Sequence, residues 1–220
     1  MQPPARDVAI VLLAAGRALR MGRPKLAETI EGRTLLERAL DACRHHPTVV
    51  VVGAESEGSL RRSGPPAHVT TIVRQPAPER GLASSARLGA CAAPRGVALA
   101  VILADRPFLT CEVVDRVIER YRGGEAEIVY PVVGGIPAHP VVFGPSMRAR
   151  LEQAPDGESL RELRDAPGAA VARVELDDAG ALFDVDTQED LARARRWAAG
   201  TAGIVPGQRN GEHDPSRSET

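Results

Sequence analysis

Several things this 220-residue chain lacks limit what it can do. Charge of one sign is not in excess. The 28 lysines and arginines face 29 aspartates and glutamates, for a formal net charge of -1. No global basic field draws in a nucleic acid or an anionic membrane, so any anion must be met by a local cluster. The three cysteines, Cys43, Cys91 and Cys111, make no CxxC pair and no Cys/His group with zinc-ligand spacing. Reduced thiols are expected. Long apolar runs are missing as well. The longest near the N-terminus, Val8 to Ala15, falls far short of a bilayer span, and "MQPPARD" has no secretory character. A soluble, cytoplasmic protein with no nucleic-acid or membrane partner is the expectation.

Two phosphate-binding signatures are also absent. A dinucleotide fingerprint needs GxGxxG, but Gly16 and Gly22 stand six apart with nothing of that pattern between them. A P-loop needs GxxxxGK[ST], whereas Lys25 is preceded by Pro24 and followed by Leu26. No internal repeat and no Ser/His/Asp constellation is visible.

What is present alternates in a regular way. Short β-branched runs occur at 8–13, 48–52, 68–73, 97–103, 127–133, 140–143 and 170–176. Several are apolar at consecutive positions, as strands are when helices cover both faces of a sheet. Helical spacing appears at 34–46 and 110–122, and Ser159-x-x-Glu162 and Thr187-x-x-Asp190 resemble capping boxes. Strands alternating with helices predict a three-layer α/β domain with a mostly parallel sheet, spanning residues 1–200. Residues 131–145, rich in proline and glycine, read as a hairpin or irregular insertion over one edge of that sheet. The polar, aperiodic segment 201–220 reads as a disordered tail.

The most informative stretch is "LLAAGRALRMGRPKL", residues 12–26. Its strand delivers Ala14, Ala15 and Gly16 to the carboxyl edge of the sheet, where ligands of open α/β folds bind. Small residues let backbone amides close on an anion, and Arg20 and Lys25 add full charges. A solvated basic loop is the plainer alternative. Further on, "VILADRPFLT" ends a buried strand on Asp105, a place suited to a hard cation, although an aspartate there could simply cap a turn.

"LAAGRALRMGRPKL" resembles the signature LAAGxSxRMGxxK of the MobA/MocA-like nucleotidyltransferases, which act on molybdopterin. The likeness runs from about residue 8 to 196 and implies a Rossmann-like nucleotidyltransferase fold. It implies that Leu13, Ala14, Ala15, Gly16 and Gly22 form the backbone of a nucleotide loop. Arg20 and Lys25 would neutralise the phosphates, with Ala18 standing where the family usually has serine. "RQPAPERGLASSARLGA" resembles the family's next landmark, implying that Gly81, Ser84 and Ser85 face the nucleotide and that Gln75 touches the base. "LADRP" implies metal binding by Asp105, and "LFDVDTQEDL" supplies Asp184 and Asp186 as its partners. "GGIPAHPVVF" places His139 on the acceptor side, with Pro137 and Ala138 replacing the family's arginine and glycine.

The resemblance thus implies a Mg²⁺-dependent enzyme with Arg20, Lys25 and Asp105 at its catalytic centre. The acceptor's phosphate would attack the α-phosphorus of a nucleoside triphosphate and expel pyrophosphate. A phosphate monoester is mostly dianionic at neutral pH, so no strong general base is needed. LAAG rather than LAGG points to CTP, and molybdenum-bound molybdopterin is the implied acceptor, with a molybdenum hydroxylase as a possible client. Three alternatives stay open: another small phosphorylated acceptor, an oxidoreductase of the nicotine-blue type, and a non-catalytic molybdopterin-binding chaperone. Free carboxylates at 105 and 184 or 186 should also repel each other, so Asp105→Asn is expected to stabilise the empty protein.

Overall fold

The computed structural model describes residues 7–16 and 21–200. Among these described residues the ten strands are β1 (Val8–Ala14), β2 (Thr29–Ile30), β3 (Arg33–Thr34), β4 (Thr48–Val52), β5 (Val69–Arg74), β6 (Ala98–Leu103), β7 (Ile128–Val133), β8 (Ile136–Pro137), β9 (Val141–Phe143) and β10 (Val171–Glu175). Seven α-helices are α1 (Leu35–Ala42), α2 (Ala54–Ser63), α3 (Leu82–Ala92), α4 (Cys111–Arg122), α5 (Pro145–Glu152), α6 (Leu160–Arg164) and α7 (Gln188–Ala198). The main sheet runs β10-β7-β9-β6-β1-β4-β5, with β8 paired onto β7, while β2 and β3 make a separate hairpin. β1 lies parallel to β4 and β6, β4 parallel to β5, and β10 parallel to β7. The expected mostly parallel α/β sheet is what forms.

Burial explains why the strands read as they do. β1 and β4 are buried at every residue, because helices cover both faces. The edge strands β5 and β10 instead alternate, with exposed residues at every second position. One core packs Leu36, Leu40, Val114 and Ile118 of α1 and α4 on one face, and a second packs Ala86, Ala90, Met147 and Leu151 of α3 and α5 on the other. α3 approaches the sheet closely at Gly89, where a Cβ would overlap Val11 and lie 2.9 Å from Val51 Cγ2. Both expected capping boxes form, Ser159 with Glu162 and Thr187 with Asp190, and Thr34 with Glu37 adds a third.

Segment 131–145 contains the expected hairpin, β7 pairing antiparallel with β8 through Val132–Pro137 and Val133–Ile136, but it is not an insertion over an edge. β9 enters the interior of the sheet and runs antiparallel to both β6 and β7. Its three residues, Val141 to Phe143, are buried, and a strand that apolar on both faces has no place at a solvent-exposed edge. Because it runs against its neighbours, β9 brings its beginning, and so His139, to the edge where β1 and β6 end.

Among the described residues no helix is long and apolar enough to cross a membrane. The tail 201–220 and Arg20 lie outside the described residues.

Candidate functional site

Three separate segments converge at the carboxyl edge of β1 and β6, where neighbouring strands lead off to opposite sides. The first follows Gly22, whose φ of +65° turns the chain into the Lys25–Ala27 turn. The second is Asp105, two residues after β6. The third is Asp184–Asp186, drawn in by the Val185 amide, which donates to the Asp105 carbonyl at 3.0 Å.

A small core of its own holds these loops. Met21, Ile30 and Leu35 from the first segment pack with Val185, Leu191 and Ala194 from the third. Polar contacts reinforce the docking: Gln188 donates to the Met21 carbonyl at 3.1 Å and Arg195 to the Thr29 carbonyl at 2.9 Å. The chain has few aromatics, yet Phe108, Phe183 and Trp197 gather beside this junction, with Phe108 edge-on to both partners. Arg106 adds a tie by donating to the Ala181 carbonyl at 3.0 Å.

The convergence puts one ammonium between two carboxylates. Lys25 Nζ donates to Asp105 Oδ2 at 2.9 Å and to Asp186 Oδ1 at 3.0 Å. Burial alone would lower the Lys25 pKa, but the two aspartates outweigh it and hold it above its ordinary value. Asp184 lies close by without joining the bridge. Withdrawal from water raises its carboxyl above the usual range, Asp186 and Asp105 push the same way, and Arg106 opposes them. The repulsion expected between free carboxylates is therefore met by Lys25, and neutralising Asp105 removes an attraction. Asp105 Oδ1 is buried and has no hydrogen-bond partner.

Beside this centre lies a cleft of about 500 Å³ whose walls include Ala14, Ala15, Gly16, Gly22, Lys25 and Gly53. Leu13 sits just inside the strand: its side chain belongs to the core and its carbonyl accepts from Ala104. Ser56 is a wall residue that sequence reasoning missed. Its hydroxyl donates to the Ala14 carbonyl at 2.7 Å and accepts from the Gly53 amide at 3.0 Å, fixing the end of β1 to the start of α2. A serine three residues after a glycine at a strand end was the available signal.

The remaining expected residues lie in a second group. Gln75 is 4% exposed, and its amide donates to Ser85 Oγ at 3.0 Å and Ser84 Oγ at 3.3 Å. Its carbonyl oxygen accepts from the Ala77 amide at 3.2 Å. In this structure the three side chains satisfy one another and shape the loop that leads into α3. Gly81, with φ +88°, is the N-cap of α3. It shares a separate cavity of about 360 Å³ with His139, Arg161 and Arg164. His139 is not brought to Lys25. Its Nδ1 lies 3.2 Å from the Val101 carbonyl, and burial, with help from the Arg106 charge, pushes its pKa down to about 3.

Two carboxylates, Asp105 with one unused, buried oxygen and Asp186 beside it, suit a hard divalent cation that takes further ligands from a phosphate substrate. Among the described residues no group of three His, Cys, Asp or Glu is arranged to hold a metal ion.

The chain is 30% identical to nicotine blue oxidoreductase of Paenarthrobacter nicotinovorans over 83% of its own length and 94% of that protein's. It is 34% identical to the bifunctional protein GlmU of Acidiphilium cryptum over 61% of its length, but spans only 30% of that larger relative. Among solved structures, Rv0371c of Mycobacterium tuberculosis superposes with a TM-score of 0.74 at 23% identity, covering 87% of this chain and 99% of that one. The same protein has also been solved as a manganese complex. A family profile described as the MobA-like NTP transferase domain matches residues 10–173. Spanning well over half of the sequence, that match shows that the chain belongs to the MobA-like NTP transferase family.

Proposed function

We propose that this protein transfers CMP from CTP to a phosphorylated acceptor, molybdenum-bound molybdopterin being the acceptor favoured by its sequence. The observation that carries the nucleotidyl-transfer reading is Lys25 bonded to Asp105 and Asp186 at the mouth of the Ala14–Gly16 cleft. An acceptor phosphate oxygen forms a bond to the α-phosphorus as the bond to the pyrophosphate oxygen breaks. The acceptor is already dianionic, so the protein's task is positioning and charge balance. The loop Ala14–Gly16 closes on the nucleotide, and Lys25, with Arg20 from outside the described residues, neutralises the leaving phosphates. Asp105 and Asp186 would hold the divalent ion, Mg²⁺ by expectation, which supplies further charge neutralisation when bound. His139 lies on the acceptor side. The pair Ala14-Ala15 and the resemblance to LAAG-bearing members support CTP as donor.

Pyrophosphate release with CTP, GTP and other triphosphates, in the presence of molybdenum-bound molybdopterin, tests this. Turnover with CTP well above GTP is expected, and Ala15→Gly should relax the preference. A clear GTP preference overturns the donor assignment, and no release with any triphosphate overturns the transferase reading. The match to nicotine blue oxidoreductase favours a second reading, a dye-reducing enzyme. Yellow flavin absorbance in the purified protein, together with reduction of the dye, would establish it.

A further inference from the structure

At the centre of the site two carboxylates from different loops meet on a cation that belongs to the chain itself. Lys25 Nζ takes one oxygen from Asp105 and one from Asp186, at 2.9 and 3.0 Å. A divalent ion bridging the same carboxylates would draw those oxygens to ~2.1 Å in the case of Mg²⁺. Ammonium and ion cannot both sit there. They compete for the same oxygens, and in a half-buried site their mutual repulsion is only weakly screened.

Among the described residues the ion also cannot complete its shell from acidic side chains. Two carboxylates come together here, and among the described residues no third His, Cys, Asp or Glu joins such a group. The remaining ligands must come from water or from substrate phosphates. A free ion entering alone would displace the Lys25 ammonium beside a dication without bringing an anion to receive it. An ion arriving on a triphosphate brings that anion with it. The lysine stem is long and flexible, so the exchange needs only side-chain rotation.

The geometry points to Lys25 as a stand-in for the divalent cation. Without nucleotide it holds Asp105 and Asp186 together and excludes the free ion, and it moves onto the phosphates when the metal–nucleotide complex binds. The substrate of the site is then the preformed complex, with the ion not bound ahead of the nucleotide. This rests on the nucleotidyl-transfer reading of the same site.

Mn²⁺ binding to the full chain without nucleotide, followed by the electron paramagnetic resonance of the free ion, tests the exchange. Wild type should bind weakly. Lys25→Met, close in length and uncharged, should bind Mn²⁺ at least about tenfold more tightly, since a contact charge is gone. Adding Asp105→Asn to Lys25→Met should erase that gain. Far-UV circular dichroism checks the fold of each variant, and Lys25→Gln replaces Lys25→Met if the latter fails to fold. Equal Mn²⁺ affinity in wild type and the Lys25 variants, or a gain that survives Asp105→Asn, overturns the inference. Wild-type pyrophosphate release is measured separately. Equal affinities with intact wild-type turnover sink only the stand-in, whereas tighter Mn²⁺ binding in Lys25→Met beside a wild type that turns over no triphosphate sinks the transferase reading alone.

Discussion

The two polar groups beside the ligand edge are built on opposite principles. The Lys25 centre is fully charged, partly open to water and assembled from three loops distant in sequence. The Gln75–Ser84–Ser85 corner is neutral, buried and drawn from eleven consecutive residues. Charges act over distance and tolerate exchange of one counter-ion for another, so the first group can change partners during a reaction. Neutral hydrogen bonds in a dry interior are short-ranged and costly to leave unmade, so the second is suited to holding a shape. A nucleotide site needs both a fixed wall and a centre whose charges can be re-paired.

The sharpest test of that contrast is Asp105→Asn. Turnover should fall on the order of 10²–10³-fold, as when a preorganised charge is removed from a reacting centre. Lys25 keeps Asp186, so the fold should survive, and steady-state pyrophosphate release together with circular dichroism reads both. If activity stays near wild type, Asp105 caps a turn and the charged centre is structural.

Gln75→Ala should do the reverse. It strands two buried serine hydroxyls and should cost about 1–3 kcal/mol in urea unfolding. Any loss of activity should appear chiefly as a higher KM for the triphosphate. An unfolding midpoint equal to that of wild type would show that the corner does not hold the loop.

His139 supplies a pH-dependent test. Its folded pKa, pushed down to about 3 by burial and by the Arg106 charge, lies below the ordinary value of 6.5. Between those values the unfolded chain binds more protons than the folded one, so stability must fall as pH drops through that window. The slope is about 1.4 kcal/mol per pH unit for one group. His139→Gln should flatten this part of the stability profile, and an unchanged profile would mean the imidazole protonates freely in the native state. Ser56→Ala should have the smallest effect, about 0.5–1.5 kcal/mol. It removes the donor to Ala14 and is read by thermal melting and by the triphosphate KM.

How much of this the sequence shows depends on the range of the interaction. Runs such as "TVVVV" and "VAIVLL" announce doubly covered strands because burial on both faces acts on every residue. The caps at Ser159 and Thr187 are legible because donor and acceptor lie three residues apart. α2 is not legible: among its ten residues only Ser56 and Leu60 are buried, too few to set a period. The position of β9 depends on pairing with strands far along the chain, and three residues carry no register signal. At the site, the carboxylates at strand ends and the basic loop are visible as types. Lys25 lying between Asp105 and Asp186 is a tertiary fact, created by the packing of Met21 and Ile30 on Val185 and Leu191.

The reversed strand β9 stitches the two halves of the molecule together. It pairs with β6 through Leu99–Phe143 and with β7 through Ile128–Phe143, so no seam in the sheet separates the half that carries β1 from the half that carries β7. A chain cut between β6 and β7 would leave an unpaired strand edge on each fragment, and neither would be a self-sufficient folding unit. Such a scaffold does not diversify by exchanging halves as a two-domain enzyme can. New acceptor preferences must arise in the loops that leave the common edge, while the sheet beneath stays whole.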